Sequence, residues 1–281
     1  MKRKWVLLVS LTVLVAFWNC DAIAGAWTKL SGGNPENMEW WQVGFANNLA
    51  VDFGSGGLWN YDDTTGAWSK LSGGNPQNMA GWSGGLAVDF GSGGLWNYDG
   101  TSWSKLSNAN PENMKYWGAG LGELAVDFGS GGVWSYTTCG GGSWSKLSGG
   151  NPQDMVAWAG LVVDFGSGGL WNYDGTSWSK LSGGDPQSME WWSGGLPVDF
   201  GSGGLWNYDG TSWSKLSGGN PQDMVAWSWG LLAVDFGSGG LWSFDGSSWS
   251  KLSGGNPQDM VAWSWGLLAV DFGSGGLWNF R

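Results

Sequence analysis

Three sets of side chains in this sequence are of a type and spacing that could do chemistry. The first is a row of aspartates, Asp52, Asp89, Asp127, Asp164, Asp199, Asp235 and Asp271, each inside the same string V-D-F-G-S-G-G. A carboxylate before a glycine-serine turn either caps that turn's own N–H groups or joins nearby carbonyls around a ligand or a hard cation. The second set precedes proline in the segment between repeats: Asn34, Asn75, Asn110, Asn151, Asn220 and Asn256, with Asp185 standing in one copy. The third is one tryptophan per repeat shortly after the glycine turn, at Trp59, Trp96, Trp134, Trp171, Trp206, Trp242 and Trp278. Amide and carboxylate groups beside an aromatic face suit the recognition of a saccharide. These fourteen positions are therefore the candidate ligand-binding residues. Against this stands a plainer reading, in which Asn-Pro forms a turn and the tryptophans fill the core.

Other chemistries are thinly represented. The chain has no histidine, which removes Ser-His-Asp and Cys-His catalysis and histidine-held metals. Cys139 lies in the irregular stretch Thr137-Thr138-Cys139-Gly140, without a neighbouring base to activate it. Carboxylates recur in every repeat, but an active site needs unlike groups that converge, and the repeats carry like ones. The sequence therefore points to no catalytic residue, no metal ligand and no cofactor, and to a binding protein in preference to an enzyme.

The elements that position these residues follow from the repetition. The seven V-D-F-G-S-G-G strings are spaced by 37, 38, 37, 35, 36 and 36 residues. W-[ST]-K-L-S also occurs seven times, from Trp27 to Trp249, and [ND]-P-x-x-M seven times, ending at methionines from Met38 to Met260. Fixed self-similarity at this period marks an array of one supersecondary unit. Each unit reads as four short strands, M-V-A-W, L-A-V-D-F, L-W-N-Y and S-W-S-K-L. The last two are joined by an Asp-Gly hairpin signal such as Asp99-Gly100. The ends of the array are split: it begins with one S-W-S-K-L strand and finishes with the other three. A ring explains that phase, because the N-terminal strand completes the last unit and no long edge stays open. The expected fold is all-β, a seven-bladed β-propeller of about 36-residue, four-stranded blades. In it M-V-A-W is innermost and the N-terminal strand closes the last blade.

Residues 1–24 read as a signal peptide, with Lys2, Arg3 and Lys4 before an apolar run and Ala22-Ile23-Ala24 as the cleavage pattern. Removing three of the 12 basic residues and Asp21 from the 23 acidic ones leaves 9 against 22, a net charge of −13 over residues 25–281. That sign repels phosphate backbones, so nucleic acid is not the expected partner. Cys139 alone cannot make an internal disulfide. The expectation is a secreted or periplasmic single-domain protein with no membrane span after cleavage.

L-W-N-Y-D-G-T-S-W at Leu95 to Trp103, with its copies, resembles the Trp/Gly-rich repeats of lectin propellers of the tectonin and tachylectin-2 kind. The likeness is one of style, since those families use longer blades. It implies multivalent binding of cell-surface or cell-wall glycans, one site per blade or groove. Two rivals stand beside it: a protein-interaction scaffold without a sugar site, and a propeller hydrolase or lyase. A scaffold is expected to diversify one sector, whereas a multivalent lectin keeps its loops alike.

Overall fold

Each second strand is apolar on both faces, which requires cover on both sides. Leu49, Ala50, Val51 and Asp52 all have 0% exposure. In the computed structural model, which describes residues 25–44, 46–118, 122–228, 230–264 and 266–281, that cover is a neighbouring blade on either side. Leu49 and Val51 pack with Met38 against Trp263, Leu267 and Leu277 of the last blade. Ala50 points the other way and joins Trp41 and Leu58 against Met79, Leu86 and Val88 of the second. Seven such clusters link the sheets in sequence and return to the first. The core is thus a circle of inter-blade layers. The segment read as a signal peptide lies outside the described residues, as do Trp229 and Trp265.

The architecture is seven four-stranded antiparallel sheets in a ring, as the repeats predict. Six sheets run in chain order from the innermost strand outward. The first blade, for example, is Asn37–Val43, Ala46–Asp52, Leu58–Asp62 and Ala67–Ser72. The seventh is completed from the other end of the chain. Trp27–Ser31 lies antiparallel to Leu277–Phe280, with Trp27 opposite Phe280 and Lys29 opposite Trp278. Ala26 and Arg281 extend the pairing by exchanging backbone hydrogen bonds at 3.1 and 3.2 Å. The Trp27 ring lies 4.8 Å from that of Phe280 and 5.5 Å from that of Phe272.

The turns define the two ends of the ring. Antiparallel alternation puts the Gly-Ser-Gly turns and the Asn-Pro connections at one end, the lower. The first-to-second-strand turns and the Asp-Gly turns lie at the other, the upper. In the lower turns Asp52 Oδ1 accepts the N–H of Gly54 at 2.9 Å, and every blade repeats this bond. The capping reading of the V-D-F-G aspartate is therefore the one observed. Gly57 closes the turn at φ +84°, where a Cβ would also stand 2.5 Å from the Ser72 carbonyl oxygen; glycine is required there on both counts. In the upper turns the Asp-Gly pair opens a wider loop than a bare two-residue hairpin. Asp99 N–H donates to Ser102 O, and Asp99 Oδ1 accepts the N–H groups of Thr101 and Ser102. The carboxylate replaces a backbone acceptor, and those bonds hold its pKa below the usual range. The fifth blade departs from the rest: its inner strand is only Ser188–Met189, opposite a second strand where Pro197 has no N–H to give.

Candidate functional site

The loop asparagines sit at the lower end, exposed, but the amides of Asn75, Asn110 and Asn220 face inward. With its nitrogen turned toward the carboxylate, Asn110 donates to both oxygens of Asp89, at 3.0 and 3.1 Å, and to the Gly91 carbonyl at 3.1 Å. Asn220 makes the equivalent bonds to Asp199 and Gly201, and Asn75 reaches Asp52 at 3.0 Å. These residues tie the connection entering one blade to the buried aspartate of the blade before. Asn34, Asn151 and Asn256 occupy the same exposed loop position, and Asp185 is the one carboxylate among them. Asn110→Ala leaves a carboxylate that is 0% exposed short of a donor, and should cost roughly 1–3 kcal/mol. Thermal melting measures it; an unchanged transition would mean that the amide carries no structural weight.

The third-strand tryptophans are likewise occupied. Each indole donates its N–H to a glycine carbonyl of its own lower turn, as Trp59 does to Gly56 at 3.1 Å and Trp171 to Gly168 at 3.1 Å. A lysine ammonium from the fourth strand lies over each ring, 5.4 to 5.6 Å from its centre. The pairing runs Lys70 on Trp59, Lys105 on Trp96, Lys146 on Trp134, Lys180 on Trp171, Lys215 on Trp206, Lys251 on Trp242 and Lys29 on Trp278. Each such contact contributes about 0.5–1 kcal/mol at an exposed site. One face of every half-buried ring is therefore covered, and its only polar group is used.

Unlike residues converge elsewhere, along the axis. The innermost strands line a bore of about 390 Å³, and two of their columns differ from blade to blade. Two residues before the first-strand tryptophan or its equivalent, the chain has Glu39, Ala80, Lys115, Val156, Glu190, Val225 and Val261. The next residue along is Trp40, Gly81, Tyr116, Ala157, Trp191, Ala226 and Ala262. Asp154, Asp223 and Asp259 add charge where the other blades carry Asn or Ser. The expectation that the repeats carry only like groups fails for this strand. Signal was present in the sequence, as two variable columns beside an invariant methionine, but the consensus M-V-A-W hides it.

Enclosure by the ring sets the protonation of these groups. Burial pushes Glu39 up to about 7 and Glu190 to about 8, against the pull of Lys115. Asp223 rises to about 7 and Asp259 to about 8, also through burial. Burial pulls Lys115 down, but Asp154, Glu190, Glu39 and Asp223 together outweigh it and hold the ammonium charged. Two of the carboxylates also serve the ring: Glu39 accepts the N–H of Gly81 at 3.2 Å, and Glu190 that of Ala226, each on the next blade's inner strand.

At the upper mouth of the bore stand the exposed large hydrophobic residues of the described chain, Trp40 (37%), Tyr116 (45%) and Trp191 (50%). They come from blades one, three and five, directly after Glu39, Lys115 and Glu190. A cavity of about 660 Å³ opens beside them between the third and fourth blades, with Tyr116, Trp158, Trp191 and Glu123 in its wall. There Trp117 Nε1 donates to Ser135 Oγ at 3.2 Å, and Ser135 Oγ donates to the Glu123 carboxylate. A second cavity of about 310 Å³ lies between Trp40, Trp82 and Tyr116. Among the described residues no three acidic or cysteine side chains converge closely enough to hold a metal.

Neither a protein family nor a curated protein matches the sequence. Solved structures do match in fold. BBS1N, in its complex with ARL6DN, superposes with a TM-score of 0.68 at 14% identity, covering 90% of this chain and 95% of its own. YCF48 from Cyanidioschyzon merolae gives 0.66 at 13%, covering 91% and 98%. The β-propeller domain of Myceliophteria thermophila Cps50 (Swd1) gives 0.60 at 12%, covering 88% and 98%. At these identities the likeness establishes the propeller fold and nothing finer.

Proposed function

We propose that this chain is a protein-interaction propeller whose docking surface is the upper face around the mouth of the bore. One observation carries the reading: Trp40, Tyr116 and Trp191 stand exposed there, at the same position of the innermost strand in blades one, three and five. Large aromatic side chains left in water beside charged groups are what a protein interface uses as anchors. Five carboxylates to one lysine line the bore; basic side chains of a partner segment would draw the protonated ones into their ionised form, so such a partner is favoured. Other propellers of this fold are seen in complexes, BBS1N with ARL6DN among them.

A multivalent glycan-binding ring is the second reading, supported by the sevenfold recurrence of a half-buried tryptophan with its lysine. One experiment separates the two. Partners are cross-linked to the wild-type protein and to a Trp40→Ala/Trp191→Ala variant, and the purified chain is screened in parallel on glycan arrays. The scaffold reading expects a defined partner whose affinity falls roughly 30-fold or more in the variant, the scale of a lost aromatic anchor. Calorimetry giving six or seven glycan sites per chain, untouched by those two substitutions, would establish the lectin in its place.

A further inference from the structure

The lower loops build a cradle that one junction fills differently. Around the nitrogen of Asn110 lie four oxygens: Asp89 Oδ1 at 3.0 Å, Asp89 Oδ2 at 3.1 Å, Gly91 O at 3.1 Å and Gln77 Oε1 at 3.2 Å. Around Asn220 they are both oxygens of Asp199 at 3.3 Å, Gly201 O at 3.1 Å and Gln187 Oε1 at 3.2 Å. The asparagine N–H groups satisfy these oxygens, the glutamines turning their oxygens and not their own N–H groups toward them. Between the fourth and fifth blades the same loop position is Asp185, and an ionised carboxylate has no hydrogen to donate. The counterpart acceptors there are Asp164, Gly166 and Gln153. Asp164 is 1% exposed and its Oδ2 has no hydrogen-bond partner. Asp271 Oδ2 is also without a partner, but its junction carries Asn34, whose amide can supply one.

Two carboxylates facing each other in a cradle of acceptors need something positive between them. We propose that the junction of the fourth and fifth blades binds a hard divalent cation, calcium in preference to magnesium. Its ligands are the carboxylates of Asp164 and Asp185, the Gly166 carbonyl and the Gln153 amide oxygen. Water completes the shell from the exposed side of Asp185. Calcium's flexible coordination accepts an irregular oxygen set. Magnesium demands a near-ideal octahedron. With two carboxylates, the dissociation constant falls on the order of 10⁻⁴–10⁻³ M.

The test is thermal melting of the full chain in EDTA, in millimolar calcium and in millimolar magnesium, for the wild type and for Asp185→Asn. The substitution restores the amide found in the other six copies, so the variant is expected to fold. Calcium should raise the wild-type Tm by roughly 4 °C or more at saturation, and magnesium by less. Asp185→Asn should ignore calcium and melt in EDTA at or above the calcium-loaded wild type. Titration calorimetry should give one calcium per wild-type chain. A wild type indifferent to calcium overturns the proposal. So does a variant that responds equally, which would place the cation among the bore carboxylates. A difference between the two proteins that follows pH and not calcium would mean that the pair shares a proton.

Discussion

A chain beginning at Gly32 is expected to melt roughly 10–20 °C below one beginning at Gly25, or to aggregate on purification. The seven residues removed include the strand Trp27–Ser31, the outer edge of the seventh blade. With it go the packing of Trp27 on Phe280 and Phe272, the lysine over Trp278, and the backbone bonds to Leu277–Phe280. Half-buried Trp27 and Leu30 contribute about 25 cal/mol per Å² of apolar surface covered. A few ladder hydrogen bonds add about 1 kcal/mol each. The sum is about 5 kcal/mol or more, and each kcal/mol moves the Tm of a domain this size by roughly 2–4 °C. The exposed third strand also becomes an unprotected edge. Equal melting of the two proteins would show that closure contributes nothing and that the blades stand as an open array.

The second large effect is on pH. Glu39 and Asp223 titrate near 7 and Glu190 and Asp259 near 8 in the folded ring, whereas the unfolded chain returns them to about 4. A carboxyl whose folded pKa lies above its unfolded one binds its proton more tightly in the native state. The stability it contributes is complete below about pH 4 and is lost as the pH rises through the folded value. One carboxyl held about three pH units high contributes roughly 4 kcal/mol. The four share one bore and one another's field, so their contributions do not add in full. The protein should therefore melt roughly 5–10 °C higher at about pH 5 than at about pH 8, followed by tryptophan fluorescence. Glu190→Gln should flatten the profile, because a neutral amide has no proton to lose. The exposed turn carboxylates Asp99, Asp174, Asp209 and Asp245 have lowered pKa values and act in the opposite direction, in more acid solution. A Tm that rises between about pH 5 and about pH 8 would refute the reading of the bore as a protonated site.

The fold was legible because repetition reports phase. Where W-[ST]-K-L-S begins the array and L-W-N-F ends it, the missing strand of the last blade can be named before any contact is seen, and Trp27–Ser31 fills that place. The V-D-F-G aspartate was legible for a local reason, since its partner is two residues away. The loop asparagines were not. Asn110 and Asp89 are 21 residues apart, and only the step from one blade to the next lays the amide on the carboxylate. In the sequence they read as amides beside an aromatic face, which tells nothing of that bond. The upper site escaped for the opposite reason. Glu39, Lys115 and Glu190 are each unremarkable in their own repeats; the ring's axis is what gathers them.

The closing strand has a consequence for how this protein assembles. Trp27–Ser31 is almost the same sequence as the fourth strand of every other blade, and nothing in W-T-K-L-S distinguishes its own seventh blade from that of another molecule. One chain's leading strand can complete a neighbour's ring as well as its own, and a row of chains doing so in turn is a concatenated polymer. Intramolecular closure prevails because the tether between the ends holds the strand at an effective concentration of about millimolar. Dilution therefore favours closure within one chain, while refolding from a concentrated unfolded state feeds strand exchange.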